Sequence, residues 1–257
     1  MKILSFKKVS ALFVSGVLLL SMNMSVWAED QTPAVDPSAM KTLKRMTDHM
    51  SGLKQFSVRT QVTLEDLLDS GHRIDLDVSA NIIIERPNKL RAERRGDPLD
   101  QTFYYDGKSL TLYNPADKVY ATESAPKTIE GVLDYTRESL GLIVPVADLV
   151  YGNSFELLTK DVDFAMVIGK TVINGMTCEH LLFSRPGVDF QVWVADGAKA
   201  LPCKYVVTDT GHAGQISVST VMSDWGYTGA EDDSVFTFVA PDDAKPITFM
   251  PLNTPIK

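Results

Sequence analysis

The chain alternates between apolar and polar residues over long stretches, most clearly between His72 and Glu123. From Ile74 to Ile84 every even-numbered residue is apolar, and most of the residues between them are polar. A period of two residues is typical of a strand with one buried and one solvated face. Several such strands in succession predict a sheet with a large apolar face, which needs a cover or a bound ligand.

Turn residues divide this pattern into about eleven strands. Asp106-Gly107, between two alternating runs, is the strongest short hairpin signal in the chain. Successive hairpins predict an antiparallel meander, and hence a mainly β fold with a few helices. The predicted strands cover residues 56–64, 72–86, 90–94, 101–105, 108–113, 119–121, 163–170, 176–184, 190–195, 202–209 and 215–225, with a short closing strand at 236–238.

Helical periodicity replaces the alternation near the start of the chain. Asp36 and Pro37 are suited to an N-cap and a first helical residue. Apolar residues then recur at spacings of three and four as far as Leu53, which predicts an amphipathic helix over 36–54.

A second helical region, 128–151, interrupts the strands in the middle of the chain. Thr128 can cap its first helix, Gly141 ends it, and Pro145 begins a second short helix. Helices inserted between strands of a curved sheet can form a lid over it. They can equally form a fixed plug that completes the core, and the pattern leaves both interpretations open.

The strand register can be predicted from the apolar pattern, because a slip of one residue would turn every side chain to the other face. If the apolar residues of strands 72–86 and 90–94 share one face, Arg86 pairs with Leu90 across a three-residue loop. Arg86 and Arg94 then both point to the apolar face.

Residues 1–28 have the features of a secretory signal peptide. Three lysines precede the apolar run Ala11–Leu20, and Val26-Trp27-Ala28 is a small-x-small cleavage site. The run is shorter than the roughly 20 residues that a membrane span needs. We therefore predict cleavage after Ala28 and a single periplasmic domain over 29–257.

Charge disfavours some classes of partner. Removal of the signal takes away three of the 25 basic residues and none of the 33 acidic ones, which leaves 22 and 33 and a net charge of −11. Such a chain is poorly suited to nucleic acid or to general attraction to anionic membranes.

Two cysteines, Cys178 and Cys203, remain in a chain bound for an oxidising compartment. A disulfide between them is the default expectation, and two separate buried thiols are the alternative. Neither cysteine has a CxxC partner, so redox catalysis and a four-cysteine zinc site are both disfavoured.

The sequence offers no catalytic or metal-binding pattern. Its four histidines are scattered, with no HExxH or other close ligand spacing. It also lacks a GxSxG elbow and a glycine-rich phosphate loop before a helix. We expect a protein that is not an enzyme and that has no cofactor and no metal.

Several short motifs resemble the LolA-type lipoprotein carriers of the bacterial periplasm. They are Glu85-Arg86-Pro87-Asn88, the run 106–110 with Tyr113-Asn114-Pro115, and Phe236-Thr237-Phe238 with Pro241. Together with the element order, the resemblance spans nearly the whole mature chain. It is strongest to a branch of predicted periplasmic proteins with that fold.

The resemblance implies an incomplete antiparallel β-barrel whose concave face is covered by helices, with acyl chains bound between sheet and lid. In the carriers, the arginine of the Arg-Pro-Asn turn reaches lid backbone and holds the empty cavity closed. Arg86 matches that position. The resemblance does not provide counterparts of Cys178 and Cys203.

The leading hypothesis is a monomeric periplasmic protein that binds a lipid or an acylated lipoprotein. Arg86 or Arg94 would hold the lid or the polar end of the ligand. The alternative is an envelope sensor or adaptor whose partner is an inner- or outer-membrane protein. The predicted groove residues are Phe56, Val58, Ile74, Leu76, Val78, Ile82, Ile84, Leu90, Phe103, Leu110 and Leu112, and the predicted lid residues are Ile129, Val132, Leu133, Val146 and Leu149.

Overall fold

A computed structural model describes residues 34–97, 99–142, 144–227 and 231–249. The predicted signal peptide and its cleavage site lie outside these residues. Within them, no helix is long and apolar enough to span a membrane. The helices are α1 (Pro37–Gly52), α2 (Ile129–Glu138) and α3 (Ser154–Thr159), with single 3₁₀ turns at Ala147–Leu149 and Asp233–Val235.

Twelve strands of the described chain form one sheet, in the order β12-β6-β5-β4-β3-β2-β1-β11-β10-β9-β8-β7. Neighbouring strands are antiparallel, except that β12 runs parallel to β6. The two edges do not pair, which confirms the predicted mainly β, incomplete barrel. The strands are β1 (Gln55–Leu67), β2 (Arg73–Glu85), β3 (Lys89–Gly96), β4 (Leu99–Tyr105), β5 (Ser109–Asn114), β6 (Val119–Ser124), β7 (Phe164–Ile173), β8 (Met176–Arg185), β9 (Val188–Ala195), β10 (Pro202–Asp209), β11 (Ser217–Gly226) and β12 (Lys245–Ile247).

Strand β1 joins two halves of the sheet. It pairs along its whole length with β2 on one side and from Ser57 to Leu64 with β11 on the other, and Val62 lies between Val78 and Thr220. We call β2 to β6 with β12 the first half, and β7 to β11 the second half.

Helix α1 packs against β7, β8 and β9 of the second half. Its start is as predicted, because the Asp36 side chain accepts a hydrogen bond of 2.7 Å from the backbone N–H of Ser38. Leu43 and Met46 are fully buried, as are the stacked rings of Phe183 and Phe190, whose centroids are 4.8 Å apart. Side chains therefore fill the space between α1 and the second half of the sheet.

The two cysteines form the predicted disulfide. Cys178 and Cys203 have an S–S distance of 2.12 Å and a Cα–Cα distance of 6.8 Å. The bond joins the beginnings of β8 and β10. The two cysteines are therefore not separate thiols.

The register predicted for the second hairpin is wrong by two residues. Leu90 lies opposite Ile84, and Lys89 lies opposite Glu85. A salt bridge of 2.7 Å between Lys89 and Glu85 accompanies this pair and closes the ladder before Arg86. Because the error is an even number, the same residues still share each face, but Arg86 lies in the turn and not opposite Leu90.

Two further predictions about elements need correction. The second lid helix is only one 3₁₀ turn, and α3 was not predicted. The closing strand at 236–238 is not a strand: the Phe238 ring packs among the rings of Tyr104, Tyr113 and Tyr120, at centroid distances of 5.0–5.4 Å. Its aromatic residues cover the outer face of the sheet, and the last strand comes later, at β12.

Candidate functional site

An apolar cavity lies between the first half of the sheet and the helical region 128–151, which we call the lid. It contains about 850 Å³ of space free of protein atoms, part of it open to solvent. The floor is formed by Thr60, Val62, Leu64, Val78, Ala80, Ile82, Ile84, Leu90, Ala92, Arg94, Phe103, Tyr105 and Leu110, and the roof by Val132, Leu133, Thr136, Val144, Pro145, Val146, Ala147 and Val150.

Cross-strand rows of side chains build the floor, since alternate residues of each strand point to the same face. One row consists of Ile84, Leu90, Tyr105 and Leu110, each opposite the next. The next consists of Ile82, Ala92 and Phe103, and a third of Thr60, Ala80 and Arg94. The small residues Ala80 and Ala92 leave space that larger side chains would occupy.

The residues predicted for the groove fall into three groups. Val78, Ile82, Ile84, Leu90, Phe103 and Leu110 line the cavity. Phe56 and Val58 line a smaller pocket beside it, of about 290 Å³, with Met50 and Trp225. Ile74, Leu76 and Leu112 line neither.

The position of β3 explains two of the residues that lie outside the lining. β3 ends at Gly96, which is opposite Val78. Leu76 and Ile74 lie further along β2, where β3 no longer continues the floor beside them. Leu112 is opposite Phe103 and is partly buried against the core.

The lid residues are likewise divided. Val132, Leu133 and Val146 face the cavity, whereas Leu149 faces the smaller pocket together with Val146. Ile129 is fully buried in the core and lines neither of the two. Thr128 caps α2 as predicted, since its hydroxyl accepts a hydrogen bond of 3.1 Å from the Gly131 backbone N–H.

Sequence reasoning missed about half of the lining. The floor residues Thr60, Val62, Leu64, Ala80, Ala92 and Tyr105 share the period of the predicted ones and could have been found from it. Thr136, Val144, Pro145, Ala147 and Val150 belong to the lid, most of them in a segment with little periodicity.

Arg86 connects three segments of the chain. Its Nε donates to the carbonyl oxygen of Leu53, at 3.1 Å, just after α1. One terminal nitrogen donates to the carbonyl of Val150 in the lid, and the other lies 3.3 Å from the Glu130 carboxylate on α2. Burial lowers the pKa of the Arg86 guanidinium, and the charge of Glu130 partly offsets this shift.

Two of the motifs that carry the family resemblance, 85–88 and 106–110, meet next to Arg86. The Pro87 carbonyl accepts a hydrogen bond of 3.0 Å from the Ile129 backbone N–H, so the turn contacts the start of α2. At Gly107, a Cβ would lie 2.4 Å from the Asn88 side chain, so a larger residue would displace this turn. The two hairpin turns and the lid thus form one corner of the molecule.

Tyr105 connects the floor to the same corner. Its hydroxyl donates to the Pro126 carbonyl at 2.6 Å, and its ring is fully buried. Burial raises the pKa of Tyr105 to about 12, with smaller contributions from the charges of Asp106 and Glu130. The residue therefore stays neutral over the physiological range.

Val146 introduces strain into the lid. Its φ is 60°, in the left-handed region that branched side chains rarely adopt. Such a conformation costs about 1–3 kcal/mol and persists only where surrounding contacts hold it. The lid is therefore a segment whose conformation depends on contacts such as the one between Arg86 and Val150.

Sequence and structure comparisons place this geometry in a family. Residues 39–250 match the family model described as "Predicted periplasmic protein (DUF2092)". The chain belongs to this family. The match confirms the predicted branch of periplasmic proteins, and the open sheet with its helical cover is the architecture that the LolA-type resemblance implied. No curated protein sequence matches the chain.

Several solved structures are similar to the chain at low identity. The Mycobacterium tuberculosis lipoprotein LppX is 15% identical, with a TM-score of 0.45 over 77% of this chain and 100% of that chain. A LolA superfamily protein from Nitrosomonas europaea is 12% identical, with a TM-score of 0.39 over 78% and 97%. A structure of the MucA/MucB complex of Pseudomonas aeruginosa is 12% identical, with a TM-score of 0.42 over 82% of this chain and 64% of that chain.

The described residues contain no group of three or more histidine, cysteine, aspartate or glutamate side chains that could hold a metal ion. The chemistry that the cavity offers is instead apolar contact, with one cation, Arg94, among its lining residues.

Proposed function

We propose that the protein binds the acyl chain of a lipid or an acylated lipoprotein in the cavity between the sheet and the lid, and that it acts in the periplasm as a binding or carrier protein. The observation that supports this most is the apolar lining of the cavity, in which Arg94 is the only charged residue among those described. Ligand pockets generally have mostly apolar walls with a few polar groups.

Burial of the acyl chain would provide the binding energy. Each buried CH₂ contributes about 0.8 kcal/mol. The apolar rows of Ile84 and Ile82 provide a floor for such a chain, and Val132 and Leu133 provide a roof. Arg86 would hold the lid on this floor through its contact with Val150.

Native mass spectrometry tests the proposal first. Protein purified from its own periplasm without detergent should carry a lipid or acylated peptide at near one-to-one occupancy, and solvent extraction should identify it. A mass without ligand, unchanged after incubation with envelope lipids, would contradict the proposal.

Filling the cavity should prevent binding. In Ala92→Trp, an indole ring would occupy the space between Ile82 and Phe103 in the floor. We expect the affinity for a fluorescent fatty acid to fall at least tenfold, measured by titration. Ala198→Trp is the matched control, because Ala198 is exposed between β9 and β10. Equal affinity of the two variants would argue against this cavity as the site, and Ala92→Phe gives a milder version if Trp impairs folding.

A second candidate function, binding of a partner protein, is favoured by the edge strand β7. Phe164, Met166, Ile168 and Val172 are all exposed there, and exposed apolar rows mark interaction surfaces. No described strand pairs with the outer edge of β7 beyond Ala165. If the protein binds a partner at β7, the double variant Ile168→Asp/Val172→Asp should lose its envelope complex, and Ala92→Trp should retain it. The opposite pattern favours lipid binding.

A further inference from the structure

Arg94 in the floor of the cavity has a polar neighbour, Gln101. They are directly opposite each other on β3 and β4. The Gln101 side-chain oxygen is buried and has no hydrogen-bond partner. The Arg94 guanidinium makes no hydrogen bond or ion pair with any described residue. Buried polar atoms normally have partners, so the unpaired Gln101 oxygen beside the Arg94 cation points to a missing ligand.

The other arginines of β3 show that Arg94 is unusual. Arg91 pairs with Glu93, and Arg95 lies 3.9 Å from Asp100 on the opposite face. None of the residues that line the cavity is acidic, so nothing in the lining offsets the charge of Arg94. Burial lowers the pKa of Arg94, and no neighbouring carboxylate counters the shift.

We propose that Arg94 and Gln101 bind the anionic head group of a single-chain amphiphile whose tail lies in the cavity. This inference rests on the proposed function, because the tail needs the acyl site. A carboxylate or phosphate oxygen accepts hydrogen bonds from the guanidinium of Arg94. The Gln101 amide nitrogen donates to the same head group, since hydrogen-bond partners decide the orientation of the amide.

The geometry of the floor sets the direction of the tail. Leu90 is four residues from Arg94 along β3, roughly 13 Å at about 3.3 Å per residue. The side chains between and beside them on this face are those of Ala92, Phe103 and Ile82, all apolar. A tail that starts at Arg94 can therefore run under Val132 and Leu133 toward Leu90.

A comparison of matched probes tests the proposal. The probes are dodecanoate, dodecyl phosphate and uncharged dodecanol, titrated calorimetrically into protein freed of bound lipid. A charge-assisted hydrogen bond of the usual strength predicts that the wild-type protein binds at least one anion about tenfold to a hundredfold more tightly than dodecanol. A preference for dodecanoate indicates a carboxylate ligand, and one for dodecyl phosphate a phosphate head group.

Two arginine variants assign the preference to a residue. Arg94→Met should abolish the preference for the anion, whereas Arg95→Met, on the opposite face, should preserve it. Arg94→Gln repeats the comparison if the apolar substitution impairs folding. Equal wild-type affinity for the anions and dodecanol, or a preference that survives in Arg94→Met, would overturn the inference while leaving acyl binding intact. If none of the three probes binds, the proposed function itself fails.

Discussion

Replacement of Arg86 by methionine should lower the free energy of lid opening by about 2–4 kcal/mol. Hydrogen bonds to charged groups contribute about 1.5–3 kcal/mol each, and Arg86 makes them to Leu53, Val150 and Glu130. The side chain is only 15% exposed, so water cannot fully replace these partners. The strained backbone at Val146 adds to the effect, because it would relax once the contact at Val150 is lost.

Hydrogen exchange of the lid amides measures this loss. The backbone N–H groups of Leu149 and Val150 bond within the lid, to Val146 and Ala147. In Arg86→Met their exchange should accelerate roughly 30-fold to several hundred-fold, while Val192 in the second half keeps its protection. The control is Arg137→Met on α2. Arg137 is exposed and pairs with Asp134, an interaction worth about 0–1 kcal/mol.

Unchanged lid protection in Arg86→Met would mean that burial of Ile129 and Leu149 alone fixes the lid. The lid would then be the fixed plug that the sequence also allowed. Accelerated exchange together with faster ligand release would instead identify the region 128–151 as a movable cover held by Arg86.

The strand pattern could be predicted from the sequence because it depends on local alternation. Every strand from β1 to β11 lies within a few residues of its predicted position, and Asp36 and Thr128 cap their helices as expected. The disulfide was also predictable, since only two cysteines remained after the signal. These features depend on residue type and spacing and on no distant contact.

Other features depend on contacts that no local pattern records. Glu85 and Lys89 form an ion pair where the second hairpin closes, and Phe238 packs against three tyrosines from separate strands. The same limit applies to the cavity, because the roof residues become neighbours of the floor only after the lid folds back. The same holds for Arg94: only the folded structure shows that none of the residues lining the cavity around it is acidic.

The largest loss of stability is expected from Phe183→Ala, at about 3–5 kcal/mol in urea unfolding. Phe183 is fully buried, stacks on Phe190 and belongs to the core that includes α1. Its removal leaves a cavity that the surrounding strands cannot close. Phe164→Ala is the matched control, since Phe164 is 39% exposed on the edge strand β7 and should cost within about 0.5 kcal/mol.

Substitutions in the two halves of the sheet should affect stability and ligand binding separately. Folded Phe183→Ala should keep wild-type affinity for a fatty acid, because the altered residue is not among those that line the cavity. Ala92→Trp should show the reverse, with lost affinity and nearly unchanged stability. If folded Phe183→Ala also lost affinity, the filled half would have to shape the cavity through β1, the strand that pairs with both β2 and β11.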